Sequence, residues 1–373
     1  MNTATRCALL CLGLAGCLDL SILQSGANPP DMALPEDMAS PVVDMASPAP
    51  DMATPDMANP DMATPFAWTN VTPTTTPARL YGISGSTGGG TVIYVVGAAA
   101  TVLKSSNGTT FTAAAVPAAG TMDFTSLWVR DSTNLFVADG NGKVFASNDG
   151  AATAGNWVDK MTNSTFPQRA IFGRSAADSV LVAGDETGKA LLLTPLSGTT
   201  WSATNAACTS NVKSTGVWGS ANYYLIVGEG LKATKGTNPA SACTALSNMG
   251  INGSPNFVAA SGVDDKNAFL LTADGQLADS DLTAANDKMN LRGRVMNATF
   301  TAMWARTKDE VWVVGSLGGA PKIWQWVNGS TNMTDRTGNL AAAGYTLTGI
   351  WGDGSGALWI IGNNATNGAI FKH

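Results

Sequence analysis

A seven-bladed β-propeller of four-stranded blades is the fold this sequence predicts, and three observations predict it. Strand-like segments that end in Gly or another turn residue recur at Gly97, Asp139, Gly184, Gly228, Thr272, Gly315 and Gly362. Their spacing of about 44 residues is the length of a four-stranded blade. A second anchor, an aliphatic–aromatic pair, recurs with the same period at Leu80-Tyr81, Leu127-Trp128, Ile171-Phe172, Val217-Trp218, Met303-Trp304 and Ile350-Trp351, with a weak copy near Val258. The strands are apolar at consecutive positions, as in Val311-Trp312-Val313-Val314, as a sheet covered on both faces requires. No long amphipathic helical period competes with this reading.

The strands of one unit follow in order. In the second copy Phe124 to Val129 is the inner strand, Asn134 to Ala138 the next, and Lys143 to Ser147 the third. The turn Asn148-Asp149-Gly150 then leads to a fourth strand around Trp157. The last copy has only three strands by Ile370 to His373, and Phe66 to Thr69 supplies its outer one. The two ends would then share a blade and close the ring, leaving little exposed strand edge. The stretch Val311 to Gly319 resembles a phosphate cradle in its glycines. A phosphate loop, however, needs a helix after them and a Lys-Ser/Thr pair. Pro321 and the strand Lys322 to Trp326 follow instead, so Gly318-Gly319 reads as a hairpin turn with positive φ.

Ahead of the propeller, assigned to residues 66–373, two further segments are legible. Arg6 precedes the apolar run Cys7 to Ala15, a pattern of secretory signal peptides over residues 1–16. The run is too short to span a bilayer as a mature helix. Leu14-Ala15-Gly16-Cys17 resembles the bacterial lipobox, which implies cleavage before Cys17, a lipid on its sulfur, and a firm membrane anchor in the cell envelope. A signal peptide cut nearby, or a short anchor, is the alternative. Residues 17–65 carry Asp-Met-Ala units at Asp31, Asp37, Asp44, Asp51, Asp56 and Asp61, with Pro close by. That composition cannot build a core and predicts a disordered or polyproline-like spacer. Its methionines could alternatively form a soft-metal patch.

The repeat as a whole resembles the seven-bladed propellers of bacterial exported proteins, in the group with Asp-box (sialidase-type) and photosystem-assembly-factor repeats. Ser105-Ser106-Asn107-Gly108-Thr109-Thr110-Phe111 and Ser147-Asn148-Asp149-Gly150 carry the Asp-box likeness, loosely. The resemblance implies a structural role for them, pinning a turn by side-chain hydrogen bonds.

Composition limits the function. Of 373 residues 13% are charged and the net charge is −6, without any Lys/Arg run. A nucleic-acid partner would need a clustered basic face. With Cys7, Cys11 and Cys17 at the leader, Cys208 and Cys243 remain as an even pair suited to a disulfide in an oxidising compartment. The one histidine, His373, excludes Ser-His-Asp and zinc chemistry, so neither metal nor cofactor is expected. Asp139-Gly140-Asn141-Gly142 hints at a calcium loop but lacks the remaining ligands. Arg130, Arg174 and Arg306 share one repeat position and could hold an anion as bidentate forks; solvated loop residues are the alternative. Asp185-Glu186, Asp264-Asp265 and Asp309-Glu310 occupy hairpin slots, where turn roles outweigh glycoside hydrolysis. Trp128, Trp218, Trp304, Trp312, Trp351 and Trp359 read as core between blades, and Tyr223, Tyr224 and Trp326 as candidates for exposure. The expectation is a non-catalytic, lipid-anchored module that binds or scaffolds a protein or glycan; the alternative is a sialidase-like propeller enzyme.

Overall fold

The unbroken apolar runs form the strands, and the Gly- and Asp-containing segments form the turns between them. A computed structural model describes residues 66–373, except 76, 89, 118–121, 161–166, 175–178, 185–189, 195–201, 206–211, 238–242, 287 and 343. At 190–194, 202–205 and 341–342 only the backbone is described. The proposed signal peptide, Cys17 and the 17–65 spacer lie outside the described residues.

The described residues build an all-β propeller. The innermost strands are Leu80–Ser86, Phe124–Val129, Gln168–Arg174, Ser214–Gly219, Phe257–Asp264, Ala298–Thr307 and Thr346–Gly352. Each packs against the next in chain order, and the last packs against the first. Antiparallel hairpins lead outward from each. In the second sheet the strands are Phe124–Val129, Leu135–Asp139, Val144–Ser147 and Trp157–Asp159, within a residue or so of the sequence reading.

The structure corrects the expected number of four-stranded blades, which is six and not seven. The remaining sheet, built on Phe257–Asp264, has five strands. Its extra strand, Ser247–Met249, runs parallel to Lys288–Arg294 through Ser247↔Lys288, Asn248↔Met289 and Met249↔Asn290. The chain arriving from the preceding sheet is captured on this edge and then turns inward at Gly250, where φ is +101°. The Asn248 amide bridges both backbone groups of Ile251 and holds the turn.

Closure of the ring occurs where the sequence places it, a little further along the chain. Thr69–Asn70 pairs antiparallel with the last strand, Thr69 opposite Lys372 and Asn70 opposite Phe371. Trp68 is buried, and its indole Nε1 donates to the Arg336 carbonyl at 3.1 Å. Its backbone N–H and C=O are both met by the Asn339 amide. Phe66 stacks on His373 at 3.6 Å between ring centroids.

The repeat's glycines and aromatics have one shared cause. A Cβ on Gly173 would lie 2.1 Å from the Trp128 ring of the preceding sheet. Gly262 stands in the same relation to Trp218, Gly352 to Trp304, and Gly85 to Trp351. Each inner-strand indole therefore lies flat on the next sheet's backbone, and only glycine leaves room. Where the fifth sheet has Ser261 instead of an aromatic, its hydroxyl accepts the Ala305 N–H at 3.1 Å. This register corrects the Leu80-Tyr81 anchor. Leu80 pairs with Gly97 as Phe124 pairs with Asp139, so Ile83-Ser84 holds the aliphatic–aromatic place in the first sheet. In the fifth sheet that place belongs to Ala260-Ser261, two residues beyond the weak copy near Val258.

Candidate functional site

All seven inner strands carry a β-bulge at the same step of the repeat. The bulged residues are Tyr81, Thr125, Arg169, Thr215, Val258, Thr301 and Thr348. A bulge re-aims one side chain and strengthens the local twist, and here it forms a ring of seven such side chains around the channel. The four threonines are committed to holding the ring. Thr125 Oγ1 donates to the Gln168 carbonyl of the next sheet at 2.6 Å, Thr215 to Phe257 at 2.6 Å and Thr301 to Leu347 at 2.8 Å. Thr348 does the same to Leu80 at 3.1 Å, across the join between the last sheet and the first.

Six members of this ring line a cavity of about 590 Å³ at the channel mouth, within the usual range for ligand sites. Its wall has two halves. Tyr81, Asp123 and Arg169, from the first three sheets, bring a phenol, a carboxylate and a guanidinium. Thr215, Val258 and Thr301, from the next three, make the other half. With their hydroxyls donated to neighbouring carbonyls, these threonines have mainly methyl surface left to offer. Asp123 is itself braced, accepting the Ala99 N–H at 3.0 Å.

The rim on this side is strained. Of five non-glycine residues with positive φ among the described residues, Ala99, Ala100, Leu231 and Asn297 lie in loops on the mouth face. Left-handed backbone costs roughly 1–2 kcal/mol for an L-residue and tends to cluster at functional sites. A larger groove of about 690 Å³ lies along the outer edge of the first sheet, but no ionisable side chain lines it. The mouth is the better candidate because chemically distinct groups converge there.

The sequence-predicted arginines lie on the opposite face and line neither cavity. Arg174 lies over the Tyr224 ring at 4.8 Å and donates to the Thr237 and Ala221 carbonyls, tying the third sheet to the fourth. Arg306 pairs with Glu310 at 3.3 Å, and Glu310 also accepts from Trp312 and Gln325. Arg130 caps its hairpin by donating its backbone N–H to the Asn134 carbonyl.

The candidate acids are bound in turns. Asp264 accepts the Lys266 and Asn267 N–H groups. Partial burial works against ionised Asp265, but hydrogen bonds from Ser220 and Asn222 outweigh it and hold its pKa low. Hydrogen bonds from Lys308 and Asn328 lower that of Asp309. The one carboxyl pushed upward among the described residues is Asp139, through burial. Its Oδ1 pins the hairpin by accepting from Asn141 and Lys143, while Oδ2 is buried without a hydrogen-bond partner. A carboxyl with 0% exposure cannot serve a substrate. Asp185-Glu186 lies outside the described residues.

Two of the three aromatics expected at the surface are core. Tyr224 is buried on the second strand of the fourth sheet, its hydroxyl 2.6 Å from the Ser179 Oγ of the third, and Trp326 packs on Phe269 at 5.9 Å. Tyr223 is half-buried. Both Asp-box-like turns are pinned by their own side chains: Ser105 Oγ accepts the Gly108 N–H at 2.9 Å, and Ser147 Oγ accepts that of Ala151 at 2.9 Å. Cys243 packs against the cluster of Leu181, Val217 and Tyr224, and Cys208 lies outside the described residues. The residue the sequence reading missed is Arg169. Its signal was positional, since it occupies the repeat slot that threonine fills in four other copies.

No protein-family description matches this chain, and no curated protein matches it by sequence. Solved structures do match in shape. A structure of YCF48 bound to a D1 peptide superposes with a TM-score of 0.60 at 16% identity, over 82% of this chain and 96% of the other. A catalytically inactive virginiamycin B lyase from Staphylococcus aureus with quinupristin gives 0.62 at 11% identity, over 82% and 98%. The WD40 propeller domain of Doa1 gives 0.63 at 11%, over 82% and 97%. At these identities the likeness establishes the propeller fold.

Proposed function

We propose that this chain is a non-catalytic binding module whose propeller head takes a protein partner at the channel mouth. The observation that carries this reading is the two-sided cavity: polar groups from three sheets face an apolar wall from three others. One of its shape neighbours, YCF48, is seen with a peptide, which supports this reading. A glycan has less support. Sugar recognition favours exposed aromatic faces, and the inner-strand indoles lie against glycines. The carbohydrate-active alternative has less still, because among the described residues the mouth is lined by one carboxyl, Asp123, and not by a pair in acid and base roles. An anion site at Arg130, Arg174 and Arg306 is weakened by the structural bonds of Arg174 and Arg306.

We also read the chain as exported and anchored in a bacterial cell envelope through lipid on Cys17, with residues 17–65 as a spacer and Cys208 paired to Cys243. Intact-mass analysis of the chain and a Cys17→Ala variant tests the anchor; an unlipidated wild-type chain refutes it. Binding is tested by placing a photo-crosslinking residue at Tyr81 and, for comparison, at Asn328 on the opposite face. Crosslinks to one protein from Tyr81 alone are expected. Equal crosslinking from both faces, or none from Tyr81, would overturn the assignment of the mouth.

A further inference from the structure

The mouth has a direction, and its direction specifies a ligand. In the sixth sheet the second and third strands run past the point where their counterparts turn, through Ser316↔Pro321 and Leu317↔Ala320. The hairpin is turned by Gly318 and Gly319, at φ of +60° and +82°. It projects on the mouth face, with Leu317 37% exposed near its tip. Ala298, paired with Leu317, follows Asn297 at φ +61° and Met296, which is 65% exposed. Exposed apolar side chains mark an interaction surface where they form a contiguous patch, and singly they are ordinary; the peptide test below decides which these two are. Both belong to the stretch that leads into the inner strand carrying Thr301 or to the strand paired with it, on the mouth face, and neither lines the cavity itself. Across the mouth stands Arg169, the one cationic side chain among the described residues that line it.

We propose that the mouth binds an extended peptide segment of a partner protein in one orientation, with an apolar side chain against Met296 and Leu317 and a carboxylate at Arg169. This rests on the reading of the mouth as a protein-binding site and adds the ligand's chemistry. Arg169 already interacts within the protein; a guanidinium carries five donors in a fork, so the proposed carboxylate would share it with that partner. Asp123, the other charge on that arc, is braced by Ala99 and repels a carboxylate placed beside it, which favours the Arg169 position. The chain's net charge of −6 opposes an acidic ligand only at long range, where salt screens it beyond about 8 Å. The local fork decides.

The test is a peptide array of capped hexapeptides, each carrying one Leu or Phe and one Asp or Glu, with carboxamide (Asn or Gln) counterparts. It is probed with the full chain. Retained acidic peptides are expected to bind about tenfold more tightly than their carboxamides, as one charge-assisted pair implies. Arg169→Gln should abolish that preference, and Arg169→Lys should keep part of it, because a point charge replaces a fork. The exposed pair Met296→Ser with Leu317→Ser should weaken binding by a similar factor without changing the melting temperature. Acidic and amide peptides binding equally, with Tyr81 crosslinks retained, would overturn the ligand assignment and leave the mouth as a binding site. No peptide binding at all overturns both. Self-association lost on Leu317→Ser would identify a second copy as the occupant and also overturn the proposal.

Discussion

Replacing Gly173 by alanine tests the packing rule that joins the sheets. The added Cβ would lie 2.1 Å from Cζ3 of Trp128 and 2.3 Å from Cε3 and Cη2. Ordinary carbon contacts are about 3.5–4.0 Å, so the indole would have to retreat by roughly 1.5 Å. It has no space to do so, because its other side stacks on Phe136 at 5.2 Å and 24° between planes. Overpacking of this kind costs about 1–3 kcal/mol, and the site stands at the upper end. Gly173 is not at positive φ, so alanine returns about 0.4–1 kcal/mol by restricting the unfolded chain. The net expectation is a loss of about 2 kcal/mol in urea unfolding. Trp128→Ala alone should cost about 3–5 kcal/mol. In that background Gly173→Ala should become neutral or slightly stabilising, a coupling of about 2 kcal/mol. Gly155→Ala, whose Cβ meets nothing within 4 Å, is the control. A Gly173→Ala protein within about 0.5 kcal/mol of wild type, or additive losses in the double variant, would refute the argument.

Other consequences follow from the ring and its turns. Thr125→Val removes the donor to the Gln168 carbonyl and should cost about 1 kcal/mol in the same assay, with no change in secondary structure by circular dichroism. Trp68→Ala removes a buried ring and its bond to Arg336 at the closure; a loss of about 3–5 kcal/mol is expected. Burial raises the Asp139 pKa in the folded state. Its share of stability is therefore full below the unfolded carboxylate pKa and falls as pH rises through the folded value. Asp131 and Asp149 run the other way: burial opposes their ionised forms, but hydrogen bonds from Thr133 and Asn134, and from Asn156 and Ser147, win and lower both pKa values. The whole protein should weaken on acidification, while the difference between Asp139→Asn and wild type grows in the variant's favour from pH 3 to pH 6. A flat difference across that range would contradict the buried carboxylate.

The period was readable because packing repeats it. Every unit must present a small residue to one neighbour and a bulky one to the other, so glycines and aromatics recur at fixed steps. The weak first and fifth copies misled for the same reason. Ser84 and Ser261 stand where an aromatic is the visible marker, and Leu80-Tyr81 resembles the missing pair closely enough to take its place. The bulge ring was not readable, since a bulge is a relation between two strands and becomes visible only once their register is known. Arg169 was hidden with it. Arg130, Arg174 and Arg306 stood out because their position repeats, yet for Arg174 and Arg306 the repetition serves contacts around their own and neighbouring sheets. The fifth strand of the Phe257–Asp264 sheet depends on where a connecting segment comes to rest, and Ser247-Asn248-Met249 carries no strand pattern of its own.

The closure strand also has a mechanical meaning. Tension carried by the chain before Phe66 enters the propeller at Thr69–Asn70, which pairs with the last strand and is followed by further bonds of Val71 and Thr72 to Ile370. Trp68 and its bonds to Asn339 and Arg336 come first along the path, so the load reaches a buried anchor before it reaches the backbone ladder. The ring is fastened like a strap whose buckle lies at the point of pull, and the force needed to draw out Trp68 sets the force at which the propeller begins to open.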